Sequence, residues 1–141
     1  MIQRFIVLFM LIACSKEDIL HRRIRVRWLI YFAIAGFLCQ LLIKKQSFPV
    51  FLPGMIPGFL ILIFSVVSHG SIGMGDGMLV MTIGIYLGVV PTVRLIVYAV
   101  FLSAFFALFV HFVKKKNKDY EMPFVPFVLV AFLINIVFGK W

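Results

Sequence analysis

The sequence predicts an all-α membrane protein with about six transmembrane helices. Of its 141 residues, 64% are hydrophobic and only 13% are charged, whereas soluble domains are about 45–50% apolar and about 25% charged. The mean hydropathy is +1.14, which also excludes an ordinary water-soluble domain. The apolar residues fall into separate runs, and at roughly 20 residues per crossing the chain has room for about six helices.

The apolar runs give the predicted helices in chain order. They are Phe5–Cys14, Trp28–Ile43, Phe51–Val67, Met78–Val90, Leu95–Val113 and Phe124–Phe138. Because these runs and their short connections fill the chain, we expect a single transmembrane domain over residues 1–141. In the third run Gly54 and Gly58 are four residues apart, a spacing at which small residues let a neighbouring helix approach closely.

Two of the runs are too short to cross a bilayer as they stand. At 1.5 Å per residue, residues 1–14 reach only about 21 Å, against a hydrocarbon core of about 30 Å. The first helix is therefore predicted to continue to about Leu20, and the fourth to begin near Gly75 or Asp76. Both extensions place an aspartate, Asp18 or Asp76, at the end of a membrane helix rather than in a loop.

The basic residues predict the orientation of the chain. There are 14 Lys and Arg against 5 Asp and Glu, a net charge of +9, but they lie between apolar runs and so do not indicate nucleic acid. Nine lie in the connections 15–27 and 114–122, and five lie on the other side. Since cytoplasmic loops carry the excess of Lys and Arg, these two connections are predicted to be cytoplasmic and both termini outside. We expect a plasma (inner) membrane protein whose basic loops contact anionic lipid headgroups.

Acidic residues within reach of a membrane are rare and usually functional, so each of the five can be considered separately. Asp119 and Glu121 lie in a lysine-rich loop, where they are expected to balance charge. Glu17 and Asp18 adjoin a basic stretch. On spacing alone, an interfacial salt bridge with basic residues three and four positions later explains Asp18 as well as a functional role does.

Asp76 stands in a connection without a basic partner, between alternating glycines. An aspartate that caps a helix is common and stabilises it by about 1 kcal/mol. A cap does not explain why Gly73, Gly75 and Gly77 alternate around Asp76. Glycines permit the close approach of a second backbone or of a peptide, so the pattern favours a functional segment.

Two carboxylates on separate helices at one membrane face indicate an acid/base pair. Repulsion between like charges raises one pKa, so a protonated carboxyl can polarise a peptide carbonyl while the ionised one deprotonates water. Such a pair titrates as a unit, and the sequence leaves the individual roles of Asp18 and Asp76 open. The sequence carries no Ser/His/Asp set, phosphate loop or metal motif, so neither a metal nor a cofactor is expected.

These residues resemble the type IV prepilin peptidases, a family of G-x-G-D membrane aspartic peptidases. Gly73-Met74-Gly75-Asp76 matches the G-x-G-D motif. Asp18 stands where the family has its first aspartate, at the end of a helix and before a basic stretch. Both aspartates follow the order and topology of the family.

A further segment of the resemblance opens the last helix. Pro123, Phe124, Pro126 and Phe127 match a Pro-Phe-Gly-Pro-Phe-like pattern. The sequence departs from the family pattern at three positions, where Arg25 replaces a proline, Met78 a lysine and Val125 a glycine.

The resemblance implies a membrane aspartic endopeptidase that removes the basic leader from prepilin-like proteins at the cytoplasmic face. It implies Asp18 and Asp76 as catalytic residues. Supporting positions are Gly73, Gly75, Gly77, Pro123, Phe124 and Pro126. With no room for the cysteine-bearing insertion of larger members, it also implies the short form without a methyltransferase domain. A presenilin-like protease shares G-x-G-D but needs a Pro-Ala-Leu segment that is absent here. The alternative of a different class is a catalytically silent membrane scaffold or transporter subunit.

Overall fold

The computed structural model describes residues 2–21, 25–43, 52–68, 73–114 and 123–138. Within these residues the secondary structure is helical, which confirms the predicted all-α class. The α-helices are α1 (Ile2–His21), α2 (Val26–Leu38), α3 (Ile56–Val67), α4 (Met74–Leu87), α5 (Val89–Lys114) and α6 (Val125–Val137). A π-helical turn, Cys39–Ile43, extends α2, and a 3-10 turn, Leu52–Met55, leads into α3.

The helix ends nearest the two aspartates lie where bilayer thickness predicts them. Helix α1 continues to His21 and so includes Asp18. Helix α4 begins at Met74 and has Asp76 in its first turn. Both carboxylates are therefore attached to helices rather than to loops.

The break between α4 and α5 differs from the sequence prediction, which placed a connection between Val90 and Leu95. The chain instead turns at Gly88, whose φ of 82° lies in the left-handed region that glycine adopts at little cost. Pro91 lies in the first turn of α5, where its missing N–H costs no helical hydrogen bond. Arg94, expected in the connection, is part of α5.

Helix α4 lies at the centre of the bundle, in contact with α1, α2, α3 and α5, while α6 packs against α1 and α5. Eight of the 14 residues of α4 are buried. They are Gly77, Leu79, Val80, Thr82, Ile83, Gly84, Ile85 and Tyr86. Several of these side chains join residues of α1 and α6 in one hydrophobic core.

Glycines let the segment before and within α3 meet α4 at backbone distance. A Cβ added to Gly54 would overlap the carbonyl of Gly84, and one added to Gly58 would overlap the backbone of Met81. The close approach predicted from the spacing of Gly54 and Gly58 is thus confirmed, and the neighbouring helix is α4.

One helix in the described residues is long and apolar enough to cross a membrane. It is the stretch Val89–Val110 of α5, with a mean hydropathy of 2.4 and 11% of its most apolar window buried. The other apolar helices of the described chain are shorter than this. The number of crossings, predicted as six, therefore stays a prediction.

Candidate active site

Three helix ends meet around Asp18 at one end of the bundle. They are the last turns of α1, the first turn of α4 and the first turn of α6. The Asp18 side chain is only 7% exposed, although it lies beyond the apolar run that ends at Cys14. An aspartate buried at a helix end needs polar partners, because an isolated buried charge is costly.

Asp18 has such a partner in the backbone of α6. The N–H of Val125 donates a hydrogen bond to Asp18 Oδ2 at 3.0 Å. Burial raises the pKa of Asp18 above its usual value, and the N–H groups of Val125 and Phe124 counteract this by stabilising the ionised form.

The first turn of α6 explains why this N–H is available. Pro126 has no N–H, and the N–H groups of Phe127 and Val128 both donate to the carbonyl of Phe124. Val125 is the first residue of α6, so its N–H has no acceptor within the helix and is of the kind that a side chain or ligand usually satisfies. Asp18 satisfies it from another helix.

Asp76 lies partly buried in the first turn of α4, before the apolar run that starts at Met78. Its own N–H donates to the carbonyl of Gly73 at 3.0 Å. Burial and, to a smaller extent, the negative charge of Asp18 together raise the pKa of Asp76 to about 7. The structure thus brings the two predicted carboxylates close enough for their charges to interact.

A helix cap and a salt bridge are the simpler explanations for the two aspartates. The N-cap of α4 is Gly73, without a side-chain cap, so Asp76 does not serve as the cap. A salt bridge at this end joins Arg25 Nε to Glu17 Oε1 at 3.4 Å. Arg22, the residue four positions after Asp18 that could pair with it, lies outside the described residues, so that alternative for Asp18 stays open. The lysine-rich loop with Asp119 and Glu121 lies outside the described residues.

The glycines around Asp76 have different surroundings. Gly73 is exposed at the N-cap, and Gly75 is half-buried in the following turn. Gly77 is buried, and a Cβ there would lie 2.7 Å from Cγ of Leu62. At Gly77 the element that approaches closely is therefore α3, not a bound peptide.

The Pro-Phe segment supports the site through its backbone. Pro123 and Phe124 are half-buried, and Phe124 packs against the hydrophobic core. Phe124 is the N-cap of α6, and Pro126 lies in the first turn, where proline is tolerated. Sequence reasoning identified these residues but missed the Val125 N–H, whose only signal was the proline beside it.

In the part of the chain that the structure describes, no group of three or more His, Cys, Asp or Glu could hold a metal ion. The arrangement is a pair of carboxyls of unequal acidity, and such a pair can both donate and accept a proton.

Comparison with known families adds one match. A family model described as the type IV leader peptidase family covers residues 5–112. The matched segment includes Asp18 and Asp76 and ends before Pro123. No curated protein and no solved structure matches the chain.

Proposed function

Since the matching model covers well over half of its residues, the chain belongs to the type IV leader peptidase family, and from this premise we propose that it is a membrane aspartic endopeptidase. In this proposal it removes the basic leader peptide of prepilin-like proteins at the cytoplasmic face. Asp18 and Asp76 form the catalytic pair.

The observation that carries the proposal is the pairing of the two aspartates across helices. They are 58 positions apart in sequence, yet the charge of Asp18 acts on Asp76. Both are withdrawn from water at the same end of the bundle. A structural ion pair would bring a carboxylate to a cation, as Glu17 does with Arg25, whereas two acids placed together favour sharing one proton.

Such a pair can hydrolyse a peptide bond without any other group. The ionised carboxylate takes a proton from water, which attacks the carbonyl carbon, while the protonated carboxyl gives its proton to the carbonyl oxygen. The resulting gem-diol collapses when the leaving nitrogen receives a proton, and the C–N bond breaks. One carboxyl ends the cycle protonated and the other ionised, as they began.

The exposed surface supports a membrane location. Phe101, Phe105 and Phe112 of α5 are 72%, 76% and 78% exposed, and an apolar surface of this extent favours contact with lipid. Together with the distribution of basic residues, this supports a multi-pass protein with its carboxylates at the cytoplasmic face and both termini outside. A substrate whose own apolar helix crosses the bilayer would place its leader junction at that face.

The proposal is tested by co-expressing the chain with a prepilin-like substrate and following leader removal by gel shift. Asp18→Asn and Asp76→Asn should each lower the rate by about 100-fold or more, because general acid–base catalysis contributes about 10²–10⁴-fold. Glu17→Gln is the matched control, since it removes an adjacent carboxylate that is paired with Arg25, and should process normally. An unprocessed substrate with the wild-type chain would favour the catalytically silent scaffold or transporter subunit. Normal processing by either aspartate variant would exclude the pair.

A further inference from the structure

The two carboxylates of the pair are held differently. Asp18 accepts a hydrogen bond from the Val125 N–H at 3.0 Å and lies at the N-terminus of α6, where the partial positive charge of the helix favours an anion. Asp76 is also in a first turn, that of its own helix. No donor in the described residues hydrogen-bonds to the Asp76 carboxylate, so its ionised form has less stabilisation.

The other charged groups near Asp18 that belong to described residues do not reverse this difference. On α1 itself Cys14 and Glu17 lie near Asp18, and His21 follows one turn later, exposed. Glu17 is paired with Arg25, which offsets its charge. The residues of α6 include no ionisable side chain, and α4 contributes Asp76. The backbone of α6 is therefore the stabilising partner that Asp18 has and Asp76 lacks.

We infer that the Val125 N–H is a positioning group that keeps Asp18 ionised and so leaves the shared proton on Asp76. This inference rests on the proposed function and assigns the roles within it. Asp18 accepts the proton of the attacking water, and Asp76 donates its proton to the carbonyl oxygen. On collapse of the gem-diol, Asp18 passes its proton to the leaving nitrogen and Asp76 regains one from a gem-diol hydroxyl, so the starting state is restored.

The assignment also explains how Val125 can stand where the family has glycine. The interaction with Asp18 uses the backbone N–H, which both residues possess. The Val125 side chain is fully buried in the core, directed into the packing of the bundle. Proline is the residue type that would remove the donor.

The first test compares pH–rate profiles of leader removal by wild type, Val125→Ala and Val125→Pro. Alanine keeps the N–H, and proline removes it at a helix position that tolerates proline. Loss of this bond should raise the pH of the acidic limb by about one unit in Val125→Pro alone, since the net contribution of one hydrogen bond is similar in size to the free energy of roughly one pKa unit. At a pH on that limb, Val125→Pro should be about tenfold slower than Val125→Ala.

The outcomes separate this inference from the proposed function. No cleavage by wild type at any pH would end the proposed function. Cleavage by wild type and Val125→Ala, with an unshifted acidic limb in Val125→Pro, would overturn only the positioning role.

A second measurement does not depend on whether Val125→Pro folds. Infrared difference spectra of the purified chain, titrated with acid and base, report the carbonyl band of a protonated, buried carboxylic acid. Wild type should show this band when the pH is about one unit below the pKa of Asp76, which is about 7. Asp76→Asn should lose it, while Asp18→Asn should keep it and titrate at lower pH, because the charge of Asp18 is gone. A band that persists in Asp76→Asn and disappears in Asp18→Asn would reverse the assignment.

Discussion

Helices α4 and α5 are separated only by Gly88 and are both largely apolar around their circumference, yet their surroundings are opposite. Eight of the 14 residues of α4 are buried, whereas 11% of the most apolar window of α5 is buried. A helix that is apolar all round belongs either in a protein core or in lipid. Of these consecutive helices, α4 lies in the protein core, and lipid is the proposed surroundings of α5.

The difference shows that residue size, rather than hydropathy, separates a central helix from a peripheral one. In α4, Gly77 and Gly84 leave space that Leu62 and the backbone of Gly54 occupy. Helix α5 has no glycine and carries large exposed side chains, of which Phe105 is 76% exposed. Close packing around α4 also accounts for the burial of Asp76 at its end, and hence for the raised pKa of its carboxyl.

The largest difference in stability between variants of α4 and α5 is expected when the same large residue is introduced into each helix. Gly84→Leu should prevent folding, because even a Cβ at Gly84 would overlap the carbonyl of Gly54 and overpacking already costs about 1–3 kcal/mol where side chains can adjust. Ala104→Leu, at an exposed position of α5, should fold normally. Yield and thermal melting in detergent measure both, and equal melting temperatures would contradict the close approach.

Truncating a leucine side chain in each helix should produce the next largest difference in the free energy of unfolding. Leu79 of α4 is fully buried, while Leu108 of α5 is 58% exposed. Leu79→Ala should lower the free energy of unfolding by about 2–5 kcal/mol through the cavity it leaves, and Leu108→Ala by less than about 0.5 kcal/mol. Unfolding with denaturant in detergent measures both, and similar losses would mean that α5 is as enclosed as α4.

A charge on the exposed face of α5 tests whether that face contacts hydrocarbon. Phe105→Arg should reduce membrane insertion at a cost of about 2.5–3.5 kcal/mol, the value for arginine at the centre of a membrane helix. Phe105→Leu keeps the apolar character and should insert as wild type does. The fraction of protein resistant to an alkaline wash of the membranes is the readout. Full insertion of Phe105→Arg would place this face in water or against protein.

The smallest expected effect concerns the pH dependence that burial gives to Asp76. A carboxyl whose pKa is raised to about 7 is protonated below that pH and ionised above it. Since the pair needs one proton, leader removal should fall about tenfold per pH unit on the alkaline side. Glu17→Gln should give the same profile. A rate that stays constant well above pH 7 would show that the proton on Asp76 is not used.

Several parts of the fold and site could be predicted because they depend on the length of a helix or on the rarity of acidic residues near a membrane. Bilayer thickness requires helices longer than the apolar runs, and this correctly placed Asp18 and Asp76 within α1 and α4. The break at Gly88 was missed because Pro91 and Arg94 are typical of a connection, although proline is equally compatible with a first helical turn. Nothing in the residue types distinguishes these two cases without the backbone conformation.

The sequence by itself determined the all-α class, the few acidic residues and their positions at helix ends, because composition and helix length are properties of single segments. The tertiary structure decided that α4 is central and α5 peripheral, because lipid and protein core are equally favourable to an apolar side chain and only packing between helices separates them. It also decided that α6 supplies the N–H of Val125 to Asp18. A backbone donor is the same chemical group in every residue except proline, so only the folded arrangement reveals which one faces the carboxylate.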